Sequence, residues 1–103
     1  MIHAEFYKSQ GFLTGFSFGG HSGYAEAGKD IVCSAVSSAV QLTVNMLDGF
    51  GFAPDVSVGD NVIECTLKES CEDSSRMLNV LKAHFESILE EFPKTIKITI
   101  SEV

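Results

Sequence analysis

The chain has 103 residues, a length typical of one domain, and we treat residues 1–103 as a single domain with one hydrophobic core. Its formal net charge is −7, from 14 acidic and 7 basic residues. Nucleic acids and anionic membranes reward clustered lysine and arginine, so this charge argues against both as direct partners and favours a basic protein or peptide. The first residues show no basic start followed by an apolar run. We therefore expect no signal peptide, a cytoplasmic location and three reduced thiols.

Two alternating runs at the start predict a β-hairpin. Residues 2–7 alternate between apolar and polar side chains, and residues 12–18 alternate again after a turn at residues 8–11. One side of the second run carries Phe12, Thr14, Phe16 and Phe18. The composition then changes, because residues 17–29 are rich in glycine and serine, which predicts a mobile loop of the kind that often carries binding residues.

The next segment predicts a helix that begins after Asp30 as its N-cap and closes at Asp48–Gly49. Its polar stripe consists of Ser34, Ser38, Gln41, Asn45 and Asp48. Its opposite, apolar side consists of Ile31, Val32, Ala35, Val36, Ala39, Leu42 and Met46. This pattern predicts a helix lying flat on a sheet, and residues 31–47 look too short and too polar to span a bilayer.

Residues 49–59 look like a connection, and the sequence leaves open a short strand at residues 56–58. Alternation at residues 62–68 predicts a strand, and Ser70–Asp73 has the spacing of a capping box that starts a second helix, which Pro93 ends. Residues 96–101 alternate as a last strand. The element order β-β-α-β-α-β predicts an α+β fold, with two helices packed on a mainly antiparallel sheet.

Cys33 is the first candidate for chemistry, because it lies three residues after the predicted N-cap, in the first helical turn. Backbone N–H groups and the positive end of the helix dipole at a helix start favour a thiolate and could stabilise an oxyanion. The alternative is that Cys33 is simply a small buried apolar residue.

His21, in the glycine-rich loop, could fold back to act as a general base for Cys33, or it could be an ordinary surface histidine. Asp30 could cap the helix or orient His21, and capping is favoured because aspartate is among the best N-cap residues. Ser37, one turn after Cys33, could bond the sulfur, a substrate or a helix carbonyl. A metal site is disfavoured because His21 and Cys33 would supply only two ligands.

The other candidate side chains have plainer interpretations. Cys65 points inward on a strand and is expected to pack in the core, whereas Cys71 has some thiolate potential at a helix start, opposed by two adjoining acids. His3 should lie on an outward strand face, and His84 should flank the buried stripe of the second helix. We assign chemistry to neither histidine.

Residues 20–37 read GHSGYAEAGKDIVCSAVS. The Gly20–His21 pair, the twelve-residue step to the cysteine and the Asp-Ile-Val-Cys run resemble the bacterial ribosomal-processing cysteine proteases of the Prp family. The chain length, the acidic balance and the predicted order of elements are similar as well.

The resemblance implies that Cys33 is the nucleophile and His21 the base, and that Gly20, Asp30 and Ser37 support the site. It implies a homodimer with a flexible loop over each site. We expect neither a cofactor nor a metal, and the acidic charge argues against direct contact with nucleic acid or membrane. The implied substrate is the N-terminal extension of large-subunit ribosomal protein twenty-seven. The alternative is a non-catalytic, dimeric peptide-binding or ribosome-assembly module.

Overall fold

The computed structural model describes residues 1–20 and 31–103. Over these residues the elements are β1 (Ile2–Ser9), β2 (Phe12–Gly20), α1 (Ile31–Gly49), β3 (Asp55–Gly59), β4 (Val62–Thr66), α2 (Glu72–Glu91) and β5 (Ile96–Glu102). One mixed sheet has the strand order β3-β4-β2-β1-β5, in which only β1 and β5 run parallel. The predicted α+β class is confirmed. Strand β3 forms at the position where the sequence indicated a short strand only as a possibility.

The β1–β2 hairpin contains a β-bulge that changes which side chains of β2 face the core. Tyr7 pairs with Gly15 but Lys8 pairs with Leu13, so Thr14 is an extra residue in β2. Leu13 is consequently buried, while Phe12 is exposed. The expectation that Phe12 and Thr14 share a side with Phe16 and Phe18 was wrong, because a bulge reverses alternation beyond it.

Helix α1 is described from Ile31 to Gly49 and ends where predicted, while its predicted start after the N-cap Asp30 stays a prediction because Asp30 lies outside the described residues. Its buried face consists of Val32, Val36, Val40, Thr43 and Leu47. The predicted apolar side included residues that are not buried, since Ile31 is 57% exposed and Leu42 is 61% exposed. The helix therefore buries a narrow stripe, and its neighbouring faces are available for other contacts.

Within the described ranges, α1 is the one helix long and apolar enough, by length and composition alone, to cross a membrane. It has 19 residues and a mean hydropathy of 1.3 over its most apolar window, more than we expected from the sequence. A core helix of a soluble protein passes the same test. Only 28% of that window is buried inside the protein, and its buried residues include Val32, Val36 and Val40, which are each 1% exposed.

Helix α2 starts one residue later than the predicted capping box implied. Its N-cap is Cys71 rather than Ser70, and the backbone N–H of Cys71 donates to Ser74 Oγ at 3.1 Å. The helix ends at Glu91, before Pro93, as predicted. Its buried residues are Ser74, Ser75, Leu78, Leu81 and Phe85.

Phe6 joins the sheet to α2 at the centre of the core. Its ring lies 6.3 Å from that of Phe16 on β2 and 6.1 Å from that of Phe85 on α2, and Phe6 has no exposed surface. Such tilted aromatic contacts add specific geometry to the burial of large apolar areas. Cys65 on β4 is fully buried in the same core, which confirms its predicted packing role.

Candidate active site

An open cleft of about 330 Å³ lies between α1 and the β3–β4 hairpin. The α1 wall consists of Cys33, Val36, Ser37, Val40 and Gln41. The hairpin wall consists of Val58, Gly59, Asn61, Val62 and Ile63. The remaining lining comes from the paired ends of β1 and β2, at Ile2, Phe18, Gly19 and Gly20.

Cys33 and Ser37 line the same cleft, one helical turn apart, as the sequence spacing predicted. Cys33 is half-buried and Ser37 is exposed. The neighbours Val32 and Val36 are each 1% exposed, so the core holds the backbone on both sides of the thiol. Cys33 is the third residue of α1 as described, which runs from Ile31 to Gly49.

Gly20, predicted to support the site, forms the end of β2 within the cleft. Its φ of +88° lies in the left-handed region that favours glycine, and a Cβ there would sit 2.6 Å from the carbonyl oxygen of Met1. The next residue along the chain is His21, which, like Asp30, lies outside the described residues. The predicted pairing of His21 with Cys33 therefore stays a prediction.

Two amide side chains in the cleft were not singled out from the sequence. Gln41 follows Ser37 by one further turn of α1, and Asn61 lies at the tip of the β3–β4 hairpin. A search along α1 at steps of four residues from Cys33 would have found Gln41. No local signal points to Asn61, because it reaches the cleft only through the pairing of β4 with β2.

The described lining of the cleft carries no charged side chain. Its surface is mostly aliphatic, with the polar atoms of Cys33, Ser37 and the two amides set into it. Such a lining offers a ligand apolar contacts together with a few hydrogen-bonding groups. In residues 1–20 and 31–103, no three His, Cys, Asp or Glu side chains converge as a metal site would require.

The other two thiols lie outside the cleft lining, in contrasting environments. Burial raises the pKa of the Cys65 thiol to about 11, with a smaller contribution from Asp55. The pKa of Cys71 is lowered, chiefly by a hydrogen bond from the backbone N–H of Ser74 and then by one from its side chain. The thiolate potential expected of Cys71 agrees with this lowered pKa, and the expected opposition is present as well, since the charge of Asp73 raises the pKa but is outweighed by the hydrogen bonds.

A half-buried thiol at a helix start, inside an open cleft that suits a peptide, is the arrangement expected of a thiol-dependent enzyme. The family model of the cysteine protease Prp matches residues 1–97. The chain therefore belongs to the Prp family of cysteine proteases, and the resemblance noted at residues 20–37 is confirmed. No curated protein matches the sequence.

Solved structures confirm the fold. The essential ribosomal processing protease Prp from S. aureus, in complex with a covalently linked product peptide, has a TM-score of 0.89 and 23% identity, over 98% of this chain and 100% of that one. The same protease with a substrate peptide has a TM-score of 0.84 and 22% identity, with equal coverage. SMU.848 from Streptococcus mutans has a TM-score of 0.78 and 24% identity, over 100% of this chain and 96% of that one.

Proposed function

We propose that this protein is a cysteine endopeptidase that removes the N-terminal extension of large-subunit ribosomal protein twenty-seven, with Cys33 as nucleophile and His21 as base. The observation that carries the proposal is the position of Cys33, near the described start of α1 and within an open cleft whose described lining is mostly aliphatic with a few polar side chains. Membership of the Prp family supports it. So does the fold shared with the S. aureus ribosomal processing protease Prp, whose structures contain a substrate peptide or a covalently linked product peptide.

The reaction is peptide hydrolysis through an acyl-enzyme. His21 accepts the thiol proton of Cys33, and the thiolate attacks the scissile carbonyl while the amino end of α1 stabilises the oxyanion. The protonated His21 gives its proton to the leaving amine as the C–N bond breaks and a thioester remains. Water, deprotonated by His21, then hydrolyses the thioester and releases the second product. Ser37, Gly20 and Asp30 support this site without forming bonds to the substrate carbonyl.

The decisive experiment incubates the protein with a tagged precursor of ribosomal protein twenty-seven and identifies the products by mass spectrometry. The wild type and Cys71→Ala should cut at one position, and Cys33→Ala should not, with thermal unfolding of all three proteins closely similar. Cys71 is the matched control because its thiol is exposed but does not line the cleft. Full cleavage by Cys33→Ala would exclude the mechanism, whereas binding of the precursor without cleavage by the wild type would favour the non-catalytic peptide-binding module.

We further propose a cytoplasmic homodimer that acts on the ribosomal protein before or during assembly. The net charge of −7 supports processing before or during assembly, since a basic ribosomal protein attracts the chain while exposed ribosomal RNA repels it. Extended precursor should therefore be cut faster when isolated than when built into ribosomes. Equal rates would contradict this order of events, and a monomer in analytical ultracentrifugation would contradict the dimer.

A further inference from the structure

The polar side chains of the α1 wall form a line that leads away from the thiol. Cys33, Ser37 and Gln41 are spaced four residues apart, so their side chains follow one face of the helix, and all three line the cleft. Eight residues of helix rise about 12 Å, which is the length of three to four residues of an extended peptide. With the scissile bond at Cys33, a substrate residue three or four positions away would therefore lie beside Gln41.

The surroundings of Gln41 suit a peptide main chain. Val40, next to it, is buried, while Val58 and Val62 on the facing hairpin are 74% and 48% exposed and therefore open to a bound ligand. A primary amide both donates and accepts hydrogen bonds, which matches the N–H and C=O groups of a peptide unit. Gln41 is exposed in the empty cleft, so a bound peptide would also shield this hydrogen bond from water.

We infer that Gln41 is a specificity-determining residue, which hydrogen-bonds the substrate main chain three to four residues from the scissile bond. The enzyme would therefore discriminate by substrate length on one side of the cut. This inference rests on the proposed function, since it places the scissile bond at Cys33.

The first test measures binding in a Cys33→Ala background, so that no peptide is consumed. The probes are synthetic peptides that copy the cleavage junction of ribosomal protein twenty-seven and extend two or five residues from the cut on either side. One of the two long peptides carries its extra residues on the side of the cut that runs along α1 towards Gln41. Adding Gln41→Ala should weaken binding of that peptide about five- to tenfold, and leave binding of the short peptide unchanged. Adding Asn45→Ala is the matched control, because Asn45 is an exposed amide one turn further along α1 that does not line the cleft.

The second test measures cleavage of the same peptides by the active enzyme. In the wild type, kcat/KM should rise steeply between the short and the long peptide, and Gln41→Ala should remove most of that rise while cutting the short peptide at the wild-type rate. Equal losses on short and long peptides, no loss on either, or no binding of any peptide would overturn the role of Gln41. Failure of the wild type to cleave would instead reject the proposed protease activity, and the binding measurements would still decide whether Gln41 contacts the peptide.

Discussion

The backbone N–H of Gly20 donates a hydrogen bond of 3.1 Å to the carbonyl oxygen of Asn61, which ties the end of β2 to the tip of the β3–β4 hairpin. Gly19 lies against the same carbonyl, since a Cβ on Gly19 would be 2.2 Å from that oxygen. Two glycines thus allow a close approach of backbones at the point from which the chain continues to His21. This contact also sets the position of the hairpin wall of the cleft relative to β2.

Gly19→Ala should separate the two backbones. A Cβ at 2.2 Å from the Asn61 oxygen cannot be accommodated without a backbone shift, because neither atom belongs to a flexible side chain. We expect kcat/KM to fall about 100-fold, since a displacement of about 1 Å near a reacting group has effects of that size. The free energy of unfolding should fall by about 1–3 kcal/mol. Gly49→Ala is the control, because nothing lies within 4 Å of its added Cβ, and similar losses in both variants would contradict the prediction.

Ser75→Ala should destabilise the fold through the β2 bulge. The backbone N–H of Leu13, beside the extra residue Thr14, donates to Ser75 Oγ at 2.9 Å, and this bond is buried. Removing the hydroxyl leaves a buried N–H without an acceptor, at a cost of about 1–3 kcal/mol in the free energy of unfolding. Urea denaturation measures the change. Ser87→Ala, whose exposed hydroxyl bonds only its own helix, should change stability by less than about 0.5 kcal/mol, and equal effects would argue against a role for the bulge.

Cys65 should make the fold sensitive to alkaline pH. Its pKa is raised to about 11 in the folded protein, whereas an unfolded cysteine ionises near pH 8.5. Between these values the unfolded chain has lost the proton and the folded chain retains it, so stability is complete below about pH 8.5 and falls as the pH rises. At pH 10 the loss from this one group is about 2 kcal/mol.

Urea denaturation at pH 7 and pH 10 measures this effect. Cys65→Ala lacks the ionising thiol, so its deficit in unfolding free energy relative to the wild type should shrink by about 2 kcal/mol at the higher pH. Other groups that titrate in this range cancel in the comparison. Cys71→Ala should keep the alkaline loss of the wild type. Parallel pH dependence of the wild type and Cys65→Ala would show that Cys65 is not buried as described.

Cys71 should react with iodoacetamide in the native protein, and Cys65 should not. Cys71 is exposed and its pKa is lowered by hydrogen bonds from Ser74, whereas Cys65 is fully buried with a raised pKa. Peptide mapping by mass spectrometry at pH 7.5 separates the sites. Ser74→Ala should slow labelling of Cys71, because it removes one of the hydrogen bonds that stabilise the thiolate. If native Cys65 were labelled as fast as Cys71, the predicted difference in thiol reactivity would be contradicted. The reactivity of Cys33 is best measured in a Cys71→Ser background, where the exposed thiol does not compete.

Most of the secondary structure could be predicted because periodicity of side chains is a local property. Both helices, the first hairpin, β4 and β5 follow from alternation or from the helical repeat. The bulge at Thr14 could not be predicted, since it is stabilised by Ser75, which is 62 residues away from Leu13. The parallel pairing of β1 with β5 is equally non-local. The edge strand β3 gave a weak signal because all five of its residues are exposed.

The candidate site was predictable to the extent that it lies on one helix. Cys33 and Ser37 share a face of α1 by spacing alone, and the structure brings both into the cleft. The facing wall could not be predicted, because Asn61 reaches the cleft through strand pairing between segments distant in sequence. His21 and Asp30, predicted as base and as cap or orienter, lie outside the described residues.

The two walls of the cleft differ in how freely their sequences can change. On α1, Cys33 and Ser37 alternate with Val32, Val36 and Val40, so a change of backbone position there would disturb the core as well as the cleft. On the hairpin, Val58 and Val62 face the cleft from positions that contribute little to the core. Substitutions on the hairpin wall can therefore reshape the cleft at little cost to stability, whereas the helix wall, Gln41 included, stands on a backbone that the core holds in place.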